Sequence, residues 1–149
     1  MGEEVKAREF MRRDLTSVDL DTTVSHVIYL LHESGLASLP VLDEEGRVVG
    51  VISERDLIRA ALPGYVDMLQ SVAFLPSLNQ LSRRLREIGD KPVSEFMSTE
   101  VIAARPDDND LYLADLMIRK GLKQIPVLDD HKRLVGVVRR IDLLYRLRQ

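Results

Sequence analysis

The sequence predicts an α/β protein made of two copies of one βαββα unit, packed against each other, with a helical insert between them. Three observations carry this. A shift of 86 residues lays 9–60 on 95–146 without a gap, and 17 of the 52 aligned pairs are identical. Glycine, proline and aspartate match in place (Gly35/Gly121, Pro40/Pro126, Asp56/Asp142), so shared apolar composition does not account for the match. Within each copy, apolar residues recur first at helical spacing and then in two short aliphatic runs, the pattern of a helix followed by strands. A unit of about 50 residues is marginal alone. The two copies are therefore expected to pack sheet against sheet, each burying the other's apolar side.

The elements follow in order along the first copy, 9–60. Leu15 to Val18 is a short β-prone stretch, and Asp19-Leu20-Asp21-Thr22-Thr23 is a turn-and-cap cluster. Val24, Val27, Ile28 and Leu31 then share one helical face, and Gly35 is the expected stop. Leu39-Pro40-Val41-Leu42 and Val48 to Ile52 read as an antiparallel hairpin around the turn Asp43-Glu44-Glu45-Gly46. Ser53 is placed to cap a last helix that carries Leu57, Ile58 and Ala61 inward. The second copy, 94–147, repeats this order.

The insert, 61–93, has no counterpart elsewhere in the chain. Tyr65, Val66, Leu69, Val72 and Phe74 form an apolar stripe, Pro76 interrupts it, and Leu78, Leu81, Leu85 and Ile88 resume it. The stripe fits a helical hairpin packed on its own domain, and it also fits a dimer or partner surface.

Composition narrows the function classes. The 149-residue chain carries a formal charge of −3, with its 21 Lys and Arg spread along its length, which argues against a dedicated nucleic-acid binder. It has no cysteine, so disulfides, thiolate zinc sites and a cysteine nucleophile are excluded. No apolar run reaches the roughly 18 residues of a membrane span, and the acidic start MGEEVKAREF does not read as a signal peptide. A cytoplasmic location with no membrane association is expected. No nucleophile elbow, Walker loop or dinucleotide fingerprint is present, and nothing argues for an enzyme. His26, His32 and His131 complete no metal-ligand spacing, and Asp107-Asp108-Asn109-Asp110 reads as capping charge at a helix start, so no metal is expected.

The chemistry concentrates where the hairpin enters the last helix. The first copy reads Gly50-Val51-Ile52-Ser53-Glu54-Arg55-Asp56 and the second Gly136-Val137-Val138-Arg139-Arg140-Ile141-Asp142. Glycine in the strand allows close backbone approach, a hydroxyl beside free helix N–H groups suits a phosphate, and an aspartate one turn on can accept from a vicinal diol. Ser53 as N-cap and Asp56 as the favourable acid of the first turn explain the same residues without a ligand. The two readings stand level on these residues alone.

The repeat resembles the cystathionine-β-synthase (CBS) domain, a family found as tandem pairs. The resemblance rests on Phe-Met opening each copy, Leu/Ile-Pro-Val-Leu-Asp in the middle and the Gly-to-Asp run at the end, and it covers about 104 of the 149 residues. It implies a disc of two βαββα units with two pseudo-twofold clefts that take AMP, ADP, ATP or S-adenosylmethionine, with no cofactor required. It further implies a regulatory sensor, a homodimer and a regulated protein partner. By the family's pattern Asp56 and Asp142 bind ribose, Ser53 meets the phosphate and Arg55 assists. Thr16, Ala37, Pro40 and Val51 line the first adenine pocket, while Ile102, Lys123, Pro126 and Val137 line the second. Arg139 in place of Ser53, and Lys123 in place of Ala37, either add grip on a di- or triphosphate or close the second cleft to ligand. A structural or partner-binding module without ligand is the alternative reading.

Overall fold

The computed structural model describes residues 4–62 and 80–148. The first half contains α1 (Ala7–Phe10), β1 (Val18–Asp19), α2 (Val24–Ser34), β2 (Ser38–Leu42), β3 (Val48–Ser53) and α3 (Glu54–Ala61). The second contains α4 (Gln80–Ile88), a 3-10 turn at Val93–Glu95, α5 (Asp110–Lys120), β4 (Gln124–Leu128), β5 (Leu134–Arg139) and α6 (Arg140–Arg148).

Local chemistry sets the ends of these elements. Thr23 caps α2 by accepting from the His26 N–H, and Asn109 caps α5 by accepting from the Tyr112 N–H. Gly35 and Gly121 close the same two helices in the left-handed region. The acidic run before α5 is thus its cap and first turn.

The two hairpins are copies in register as well as sequence. Ser38 faces Ser53 across β2 and β3, Gln124 faces Arg139 across β4 and β5, and each ladder slips by a bulge at the same place, after Val41 and after Val127. β1 runs parallel to β2 through Val18 and Val41, whereas in the second copy the corresponding pairing is the single bridge from Ala104 to Val127. Ala104 and the following Arg105-Pro106 favour a strand less than Val18-Asp19-Leu20 do.

The core departs from the expected sheet-on-sheet packing. It consists of two clusters, and each one is completed by the stretch that leads into the other repeat. Val24, Val27, Leu39, Val41 and Ile52 pack with Ile88 and Val93, and with Phe96 and Met97. Leu113, Met117, Ile125, Val127 and Val138 pack with Ala7 and Phe10, and with Met11. The backbone follows the same exchange. Arg12 and Val137 trade N–H···O bonds of 2.8 and 2.9 Å, and Val51 and Ser98 trade two of 2.9 Å. The strand glycines permit it: a Cβ on Gly136 would lie 2.6 Å from the Arg12 carbonyl oxygen, and one on Gly50 would lie 2.5 Å from Met97 Sδ. What approaches these glycines closely is the chain itself.

Two inward assignments fail. Ile58 is 55% exposed and Ile28 38% exposed; with Leu85 of α4 they line an apolar groove between α2 and α3. A helix as short as α3 gives Leu57 and Ala61 the core and leaves Ile58 on the rim. Of the insert's apolar positions, Leu85 and Ile88 pack on the first cluster and Leu81 is largely exposed, while Tyr65 to Leu78 lie outside the described residues.

Candidate functional site

Each hairpin delivers its last strand residue to the start of a helix, and the two copies differ there. In the first, Ser53 and Asp56 form a reciprocal capping box. The Asp56 N–H donates to Ser53 Oγ at 3.1 Å, and the Ser53 N–H and Oγ–H donate to Asp56 Oδ2 at 3.0 and 2.9 Å. All of this falls on Oδ2. Oδ1 has no hydrogen-bond partner among the described residues.

In the second copy arginine cannot cap. Arg139 instead folds onto Asp142 as a bidentate pair, Nε to Oδ2 at 2.8 Å and Nη2 to Oδ1 at 3.0 Å. Arg12, brought over by the exchanged lead-in, adds Nε to Oδ1 at 3.2 Å. Both oxygens of Asp142 are therefore engaged. Partial burial pushes its carboxyl up, but the hydrogen bonds and charges of Arg139 and Arg12 prevail and hold it below its ordinary value. The Asp142 carboxylate likewise raises Arg139.

Thr16 sits with this second group. Its N–H and Oγ–H donate to Asp14, which they lower, helped by the charges of Arg12 and Arg139. Thr16 is tied in this way to the surroundings of Asp142, although its expected place was the first adenine pocket. The exchange carries Ala7 to Arg12 across to repeat 2, and Thr16 lies between that stretch and β1, which pairs with β2 of repeat 1.

Ala37 and Lys123 also meet on one cavity rather than lining separate clefts. This cavity, of about 590 Å³, lies between the β2 start and α3 of repeat 1 and the end of α5 and start of β4 of repeat 2, and it takes in Ser53 and Arg55 as well. Gln124 closes its floor. This buried side chain accepts from the Ala37 N–H at 2.9 Å and donates to the Ser38 carbonyl at 3.0 Å, joining β4 to β2. Sequence reasoning passed over Gln124 because its counterpart in the first copy is Ser38, too short to make the reverse contact.

Pro40 and Pro126 are buried opposite Val51 and Val137 in the two hairpins. The N–H and C=O groups of Val51 and Val137 bond Ser98 and Arg12 and so join the repeats. Ile102 is half-buried.

A family model for the CBS domain matches residues 7–63 and 93–149. The chain belongs to the CBS domain family. The match covers both repeats, so this is a tandem CBS protein. A CBS domain-containing protein of Dictyostelium discoideum is 30% identical over 141 residues, spanning 95% of this chain and 90% of that one. An inosine-5'-monophosphate dehydrogenase of Methanocaldococcus jannaschii is 26% identical over 141 residues, but these are only 23% of that enzyme. The CBS-pair protein CBSX2 from Arabidopsis thaliana shares the fold, with a TM-score of 0.80 at 23% identity over 99% of this chain and 96% of that one. A structure of CBSX2 in complex with AMP matches with a TM-score of 0.72 at 25% identity over 97% and 96% of the two chains. The cytosolic domain of the Mg2+ channel MgtE in complex with ATP matches with a TM-score of 0.69 at 28% identity over 97% of this chain and 49% of that one. Among the described residues no helix is long and apolar enough to cross a membrane.

Proposed function

We propose that this CBS pair is a regulatory module that binds one adenosine ligand per chain (AMP, ADP, ATP or S-adenosylmethionine) at Ser53 and Asp56, and that its second cleft is filled by its own Arg139. The observation that carries this is the Asp56 Oδ1, without a hydrogen-bond partner among the described residues, beside an Oδ2 held by Ser53. A carboxylate fixed in this way is oriented before the ligand arrives, and its open oxygen can accept from a ribose hydroxyl. At Asp142 the same diol would have to displace a bidentate guanidinium and a second arginine. The alternative of a ligand-free module thus applies to one cleft of the two. The AMP and ATP complexes of related CBS pairs support the ligand class.

No catalytic step is invoked. Ligand touching both repeats stabilises one arrangement of them, and the population shift is the signal. The exposed Ile118, Leu144 and Tyr145 on α5 and α6 favour a homodimer or a regulated protein that covers this face in the cytoplasm.

Calorimetry with AMP, ADP, ATP, S-adenosylmethionine and GTP tests the assignment. Asp56→Ala is expected to weaken the preferred adenine ligand by more than about tenfold, and Asp142→Ala to leave it within about twofold. Unchanged affinity in a folded Asp56→Ala protein would overturn the site.

A further inference from the structure

We propose that the outer face of α5 and α6 is a docking groove for an acidic amphipathic helix of a partner protein. This rests on the reading that a protein covers this face. Leu111, Ile118, Ile141, Leu144 and Tyr145 are between 60% and 77% exposed there. Along α6, Ile141, Leu144, Tyr145 and Arg148 fall at i, i+3, i+4 and i+7 and form one stripe. The first copy has Ser25, His32, Arg55 and Arg59 where the second has Leu111, Ile118, Ile141 and Tyr145. The fold itself therefore does not call for apolar residues at these positions, since the first copy adopts it with polar ones. They are there for something that covers them.

The first repeat shows what kind of body such a face takes. Its own groove between α2 and α3, of about 400 Å³, has α4 at one side: Leu85 lines it, and Ile88 is buried in the cluster beneath. No helix corresponding to α4 lies on the second repeat among the described residues. Charge says which helix fits. The titratable residues on the first groove are His32 and Glu54, and α4 beside them carries Arg83, Arg84 and Arg86 against one acid, Glu87. The equivalent positions in the second repeat are Ile118 and Arg140, and Arg119 stands where the first has Glu33. Arg119 is paired with Asp115, Arg140 has no carboxylate partner among the described residues, and Arg148 lies over the Tyr145 ring, 5.4 Å from its centre. An acidic rim beside a basic helix has thus become a basic rim without one. A helix laid there is complementary when it carries leucines at the spacing of α4 and glutamate or aspartate on its flanks. The same sign disfavours α4 of a second copy, and a twofold pairing of this face with itself brings two basic rims together.

The test titrates the full chain with two synthetic helical peptides of about 15 residues, read by fluorescence anisotropy. Both carry leucine at i, i+3, i+4 and i+7, and their flanking positions are either all glutamate or all lysine. The chain's formal charge is −3, so undirected attraction favours the lysine peptide. The expected result is the opposite: the glutamate peptide binds at least about tenfold tighter, with a preference that shrinks with salt. Arg140→Glu should invert the preference, and Ile118→Gln/Leu144→Gln, at two exposed positions, should weaken binding by at least about tenfold. Preference for the lysine peptide, or no binding of either by the folded protein, overturns the acidic helix. Sedimentation of the same proteins, alone and with phosphatidylserine vesicles, separates the other occupants. A dimer that Ile118→Gln/Leu144→Gln dissolves overturns the acidic helix and keeps the reading that a protein covers the face. Vesicle binding that the same variant abolishes overturns both.

Discussion

Among the described residues, Asp56 at the start of α3 keeps one carboxylate oxygen free; at the start of α6, 86 residues later, Asp142 keeps none. The backbones are alike down to the bulge in each hairpin. Two substitutions make the difference: Arg139 stands where the first copy has Ser53, and Arg12 stands where the second has Ser98. Duplication supplied two equal frames. Side chains at two positions then left one carboxylate available and neutralised the other, at no change in fold.

The most direct way to break the comparison is to erase those two differences. Arg12→Ser/Arg139→Ser gives the second cleft the residues of the first, and its binding stoichiometry is expected to rise from one ligand per chain to two. A calorimetric titration that still ends at one would show that the arginines are not what closes the cleft.

The frames themselves can be compared through their glycines. Gly136→Ala drives a methyl into the Arg12 carbonyl, which cannot move without parting the repeats, and a loss of about 1–3 kcal/mol in urea unfolding is expected. Gly50→Ala meets the flexible end of Met97 first, with the Ser98 carbonyl at 3.1 Å behind it, and should lose less. Equal losses would mean that Met97 is as unyielding as backbone.

The smallest effect separates the two carboxylates by pH. Asp142 is held below its ordinary 3.8, so its contribution is complete above that value and disappears as pH falls through the lower folded pKa. Asp142→Asn should therefore be less stable than the parent by about 1 kcal/mol at pH 7. The gap should begin to narrow below about pH 4 and close as the pH falls through the lower folded pKa. Thermal melts across this range would show it, and a gap that persists into acid would place the loss in packing rather than charge.

Much of each frame is legible in the sequence, because its determinants are local. Alternation and turn residues mark the hairpins, Gly35 the end of α2, and Ser53 with Asp56 the start of α3. The pairing of Arg12 with Val137 is not legible, since either repeat offers the same Gly-Val strand and nothing in the pattern says which one a lead-in will choose. That choice brings Arg12 to Asp142. The signal was present in Gly50 and Gly136, whose close neighbour is the other lead-in. The meeting of Ala37 and Lys123 is hidden for a related reason: residues equivalent under the repeat stand nearest each other where the pseudo-twofold axis passes, and sequence alone does not locate an axis.

The crossed lead-ins bear on how the molecule's stability scales. Arg12 and Ser98 each complete the opposite repeat, so a single unduplicated unit would satisfy its own sheet only by trading lead-ins with a second copy, and its folding would weaken on dilution. With both units on one chain the trade becomes intramolecular, at an effective concentration set by the 61–93 connection. Folding of the lobes then no longer depends on how much protein is present.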